Sequence, residues 1–155
     1  MSDETFCNDR SIASGTGYKV DSPTYYGAYD RLVNKRTPSL KCSQENKFRV
    51  SSTSAKLDYP VGLILADEVS LVGGISEKMN GNYYLYSGRT YQSFTPSKFT
   101  SSHTYGYIVN ISSNGDIGMG NHLTDAYGIR PVINLKKEVT ISKGDGSSLN
   151  PFAIN

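Results

Sequence analysis

Along the chain, the clearest alternation of apolar and polar positions begins at Tyr105. Tyr105, Tyr107, Val109 and Ile111 fall on one side of an extended segment, the period-two pattern of a strand with one buried face. Asn114-Gly115 follows, a dipeptide that adopts a tight positive-φ reversal without steric penalty, so two paired strands are expected to meet there. The residues after the turn are small and polar; they predict no helix and only a weak strand. An apolar run from Ile129 to Leu135, interrupted by Arg130, Pro131 and Asn134, predicts a further strand, with Pro131 where no ladder bond is donated. That run is expected to anchor the irregular segment before it, and the irregular segment is where function is expected.

Elsewhere the pattern is weaker. Residues 1–24 are nearly devoid of apolar positions and read as an ordered loop tied down by Cys7. Tyr26, Tyr29 and Val33 stand at helical spacing, with Arg36-Thr37-Pro38 as the stop. Phe48 to Val50 predicts a short strand, and Val61 to Leu65 a better one. Ala66 to Val72 reads as a short helix with acidic residues in its first turn and Gly73-Gly74 beyond its end. Asp67 and Glu68 read as complementing the helix dipole rather than as a catalytic pair, because neighbours at i and i+1 on a helix point in different directions. Tyr83 to Tyr86 predicts a strand between turns at 80–82 and 87–88, and Tyr91 to Pro96 leads through a Ser/Thr-rich loop to Tyr105. The tail predicts two short strands around Gly144-Asp145-Gly146, a turn that lacks the spaced carboxylates of a calcium loop. The pattern predicts one α+β domain over residues 1–155, with short antiparallel strands, two short helices and much irregular structure.

Composition narrows the functions. The chain has 155 residues, a formal net charge of +2 and no Lys/Arg cluster, which leaves no electrostatic footprint for nucleic acid or an anionic membrane. Twelve Tyr, fifteen Gly and no Trp, with abundant Ser, Thr and Asn, suit adaptable binding surfaces, and they equally suit short strands and turns. No apolar run approaches the roughly twenty residues of a transmembrane helix, and the first residues form no signal peptide. The chain is therefore cytosolic, or its targeting segment has been removed. Cys7 and Cys42 are the only cysteines and lack the spacing of zinc or thioredoxin-like sites. A disulfide between them would restrict the unfolded chain by roughly 4 kcal/mol; two free buried thiols in a reducing compartment are the alternative. Asn110-Ile111-Ser112 is a glycosylation sequon, read here as accidental.

Three pieces together resemble a known family. Tyr59-Pro-Val-Gly-Leu-Ile-Leu-Ala-Asp-Glu-Val69 is similar to the strand-then-helix signature of bacterial C-type-lectin-like domains related to formylglycine-generating enzymes. In that family a strand ending in Leu-Pro-Thr precedes a helix opening with Glu-Ala-Glu. Tyr91 to Pro96 stands where those domains have an aromatic strand with a Ser/Thr-Pro. Tyr105 to Asn114, followed by Tyr127-Gly-Ile-Arg-Pro-Val132, resembles their closing hairpin and terminal strand. The whole chain looks like the ectodomain of secreted, pilin-like surface proteins of gut Firmicutes. The resemblance implies a C-type-lectin-like fold, an extracellular, cell-surface location and a prepilin-type membrane helix preceding residue 1.

The same resemblance includes the variable proteins of diversity-generating retroelements, in which substitutions are scattered over surface positions near the C-terminus. It implies a binding face within residues 91–135, carried by Gln92, Phe94, Ser97, Lys98, His103, Tyr105, Asp116, Met119, Asn121 and His122. The formylglycine-generating relatives hold copper with two late cysteines. Here Cys7 and Cys42 lie early, and His103 and His122 are the only histidines, so no enzyme activity, cofactor or metal is expected. Calcium-dependent sugar-binding motifs are missing as well, although Tyr91, Phe94, Tyr105 or Tyr107 would serve to stack a glycan without metal. The expected function is ligand recognition or adhesion at a bacterial surface or pilus. The ligand would be a protein or glycan on another cell or host surface, with pilus subunits as further partners and no nucleic acid or membrane contact. A structural pilin-like subunit and a metal-independent lectin are the alternatives.

Overall fold

The computed structural model of the chain describes residues 1–17, 22–99, 105–147 and 149–155, without the side chain of Phe94. In chain order its elements are β1 (Phe6–Cys7), β2 (Ile12–Ser14), β3 (Thr24–Tyr26), α1 (Gly27–Tyr29), β4 (Lys47–Phe48), β5 (Val61–Leu63), α2 (Ala66–Leu71), β6 (Ile75–Ser76), β7 (Tyr91–Phe99), β8 (Gly106–Ile111), β9 (Asp116–His122), β10 (Gly128–Ile129), β11 (Pro131–Ile133), β12 (Ile141–Lys143) and β13 (Ala153–Ile154). The arrangement is α+β with sheet predominant. Seven strands form one mixed sheet in the order β2-β3-β7-β8-β9-β6, with β10 beside β7; β1-β4, β5-β11 and β12-β13 are separate pairs.

The β8–β9 hairpin forms as the alternation predicts, but its second strand is a full one of seven residues. The expected irregular segment is thus mostly strand. Gly118 belongs to the packing, since a Cβ there would run into the Asn110 side chain. The apolar run 129–135 is not one strand but two: β10 runs parallel to β7, and β11 pairs with β5 through Pro131 opposite Leu63. Ile129, Ile133 and Leu135 are exposed, and Val132 alone of the run's apolar side chains packs on the core. Tyr83–Tyr86 is a turn rather than a strand, closed by Tyr86 N–H donating to Tyr83 O at 3.0 Å, with Tyr83 inward and Tyr84 outward. The N-terminal stretch, expected as loop, contributes β1, β2 and β3. β1 and β3 find partners far along the chain at Phe48 and Phe99, so no local pattern announces them, and β2 pairs with β3.

Both helices form where expected. The first is α-helical only over Gly27–Tyr29 and widens into a π-helical turn over Asp30–Lys35, ending at Arg36 with φ 55°. In α2, Glu68 Oε2 accepts the Leu65 N–H at 2.8 Å and satisfies an orphan donor of the first turn. Asp67 points elsewhere: Arg31 donates to both its oxygens at 3.0 Å and the Ser39 N–H to Oδ1 at 2.8 Å. The core lies between these helices and the sheet, built from Leu32, Ile64, Val69, Val109, Ile111 and Ile117 among others. Cys7 and Cys42 are joined by a disulfide, with their Cα atoms 5.9 Å apart.

Candidate functional site

The register of four central strands lines up one residue from each. Tyr25 of β3 stands opposite Lys98 of β7, Lys98 opposite Tyr107 of β8, and Tyr107 opposite His122 of β9. At the usual strand spacing this row spans about 14 Å. A register shift between Pro96 and Lys98 precedes it in β7, as expected of a bulge that re-aims the following side chain. The Tyr105 ring meets His122 edge-on at 4.4 Å between centroids, and Tyr107 meets it at 4.8 Å. Lys98 Nζ lies 5.3 Å from the Tyr107 ring centroid and 5.8 Å from that of Tyr29, which itself sits 4.7 Å from Tyr25. Tyr105 is 46 % exposed, and Tyr25, Tyr29, Lys98, Tyr107 and His122 are half-buried. Their rings are therefore held by neighbours while still reaching solvent.

At the Tyr25 end the row opens into a cleft of about 560 Å³ lined by Ser14, Tyr25, Tyr29, Asp30, Asn34 and Lys35. Lys35 Nζ is 2.7 Å from Asp30 Oδ2, and Asn34 Nδ2 donates to Oδ1 at 3.2 Å. These two bonds, Lys35 foremost, hold the Asp30 carboxyl below its ordinary range. Burial, reinforced by Tyr25 and Glu77, pushes the Tyr29 hydroxyl up, so it stays a neutral donor at physiological pH.

Of the residues expected in the binding face, the structure brings Lys98, Tyr105 and His122 together. Gln92 and Asn121 sit apart from them. Gln92 Nε2 donates to Asp125 O at 3.0 Å, while Asn121 bonds Asn110 and accepts the Tyr127 hydroxyl at 2.8 Å. Gln92 also lines a second cleft of about 410 Å³ with Arg10, Tyr26, Pro96 and Ile108. Ser97 and Met119 are corrections: Ser97 is fully buried and donates to Met119 O at 2.6 Å, and Met119 belongs to the core at 5 % exposure. A side chain packed inward presents nothing to a partner. Asp116 is turned into the hairpin loop toward Ser112, at the far end of β9 from His122. Tyr91, named as a stacking platform, is buried at 4 % with the Arg130 guanidinium 5.4 Å above its ring. His103 and the side chain of Phe94 lie outside the described residues.

Nothing in the sequence assigns Tyr25 or Tyr29 to a binding face, and Tyr107 enters it only as a stacking platform. Tyr25 reaches the row through β3–β7 pairing, which no local signal reveals. Among the described residues no group of three His, Cys, Asp or Glu is placed to hold a metal ion, and no helix is long and apolar enough to cross a membrane. No family model, curated protein or solved structure matches the chain.

Proposed function

We propose that this chain is a C-type-lectin-like recognition domain of a secreted, pilin-like bacterial surface protein, and that it binds a protein or glycan on another cell or host surface. The observation that carries the proposal is the half-exposed row Tyr25-Lys98-Tyr107-His122. Aromatic rings fixed by strand register lose little rotamer freedom on binding, so contact area is gained at a low ordering cost. The disulfide fits an oxidising compartment outside the cytosol. Binding is preferred to catalysis because the buried carboxylate Asp67 is committed to Arg31 and the Ser39 N–H. No cofactor enters the mechanism.

If the domain is diversified by a retroelement, the substitutions belong at positions whose side chains reach the surface. Across isolates, differences at this locus should fall on Gln92, Lys98, Tyr105 and His122 and spare the buried Ser97 and Met119. The direct test replaces Lys98, Tyr107 and His122 with alanine together. Binding of the labelled chain to bacterial and host cells should drop by about a hundredfold, on the order of 3 kcal/mol, with its amide NMR spectrum otherwise preserved. Undiminished binding by that variant would refute the site.

A second reading, a structural pilin-like subunit, is favoured by the C-terminal hairpin. β12 and β13 form a sheet of their own, with Ile141, Leu149, Phe152 and Ile154 exposed. A lone two-stranded ribbon is marginal in water, and an apolar patch of this kind suits packing against another subunit.

A further inference from the structure

We infer that the row takes an anionic glycan, with Lys98 meeting a carboxylate or sulfate group and the rings of Tyr25, Tyr107 and His122 packing against sugar faces. The inference rests on the recognition role proposed above and specifies its ligand.

The charge of Lys98 is the first support. Two lysines of this surface are differently committed. Lys35 is paired with Asp30 at 2.7 Å, whereas among the described residues Lys98 makes no ion pair and holds its ammonium group beside the faces of Tyr29 and Tyr107. Such cation–π contacts are weak at exposed sites and leave the ammonium donors available. An arriving anion would convert them to charge-assisted hydrogen bonds.

The position of the row is the second support. It crosses β3, β7, β8 and β9; β2 pairs with β3 at Tyr25, and at the other end the His122 N–H donates to Asp125 Oδ2 at 3.0 Å while its carbonyl accepts the Asp125 N–H at 3.1 Å. With the backbone at both ends of the row so engaged, an extended peptide cannot be added there as another strand. Recognition has to proceed through side chains that stack and donate. A sugar matches that demand, because its C–H faces suit aromatic rings and its hydroxyls need polar partners. The cleft beyond Tyr25 provides them in Ser14, Asn34 and Asp30.

The test uses an array of neutral oligosaccharides and their carboxylated or sulfated counterparts, probed with the intact chain. Capture should be confined to anionic members and should weaken as salt rises. Lys98→Gln should lower affinity by at least about tenfold and Lys98→Arg should largely keep it, while Tyr107→Ala abolishes capture. Carboxylated and sulfated members separate the two sources of charge. Equal capture of neutral members, or a Lys98→Gln variant that binds as well as the parent, overturns the inference. If those neutral members are released by Tyr107→Ala, the recognition role survives. Capture of no glycan also overturns the inference, and the alanine triple variant on cells then decides the recognition role by itself.

Discussion

At Gly115 the backbone runs at φ 86°, and a Cβ there would lie 1.8 Å from the carbonyl oxygen of Asn80. The contact exists because the hairpin tip is docked. Asn80 N–H donates to Asn114 O at 3.2 Å, and the Tyr86 hydroxyl to Ser113 O at 3.1 Å. An alanine at 115 must therefore adopt a left-handed conformation and also displace a backbone segment that cannot swing aside like a flexible side chain. Gly115→Ala should cost about 2–4 kcal/mol, read as a lowered urea midpoint. Gly120, on the same hairpin, has open space around its Cβ position and no positive φ, so Gly120→Ala should shift the midpoint little. Equal effects at the two sites would show that the hairpin tip is not held by the 80–86 segment.

The elements legible in the sequence are those whose causes are local. The β8–β9 hairpin is announced by alternation and Asn114-Gly115, and α2 by its acidic first turn and Gly73. β1 and β3 are two or three residues long and exist because of distant partners, so propensity has nothing to act on. Tyr83–Tyr86 misleads for a related reason: four aromatic or apolar residues suit a strand, but of the four only Tyr83 is buried and the rest wrap a turn. The site divides along the same line. His122 lies on the hairpin strand that Asn114-Gly115 announces, whereas Lys98 falls where the sequence reads as a Ser/Thr-rich loop, and Tyr25 joins them through long-range register. Met119 is misplaced because, between two glycines, its direction follows from pairing alone. The Cys7–Cys42 link belongs to this scale too, since β1 and β4 form only a two-residue ladder that the disulfide supports. Replacing both cysteines with alanine should lower stability by roughly 4 kcal/mol, measured by denaturant unfolding of the oxidised parent against the variant. Matching curves would mean that the N-terminal pairing stands without the link.

Across the whole molecule, Arg31 joins the N-terminal segment, the first helix and α2. Its guanidinium donates to Asp9 Oδ2 at 2.6 Å and to both oxygens of Asp67 at 3.0 Å, while Asp9 also accepts the Ser11 N–H at 3.0 Å and Asn46 Nδ2 at 3.2 Å. All three charged side chains are largely shielded from solvent. Breaking such a group by removing one member leaves the others uncompensated, so Arg31→Met should destabilise by about 3–5 kcal/mol. The same group imposes a pH dependence. Partial burial pushes the Asp9 carboxyl up, but the bonds from Ser11 and Arg31 outweigh it and hold Asp9 below the ordinary carboxylate range. A group depressed in the folded state contributes stability that is complete above its unfolded value, about 3.9, and is lost as pH falls through the lower folded value. The urea midpoint should therefore hold steady down to about pH 5 as far as Asp9 is concerned, and decline below about pH 4. Asp3, Asp30, Glu45 and Asp145 are also depressed and are solvent-facing, and they add to the same acid limb. The contribution of the Arg31 group is isolated by difference. In Arg31→Met, Asp9 keeps Ser11 but loses the guanidinium, so the decline between about pH 4 and 2 should be shallower than in the parent. Parallel acid limbs in the two proteins would show that Asp9 owes its low value to Ser11 rather than to Arg31.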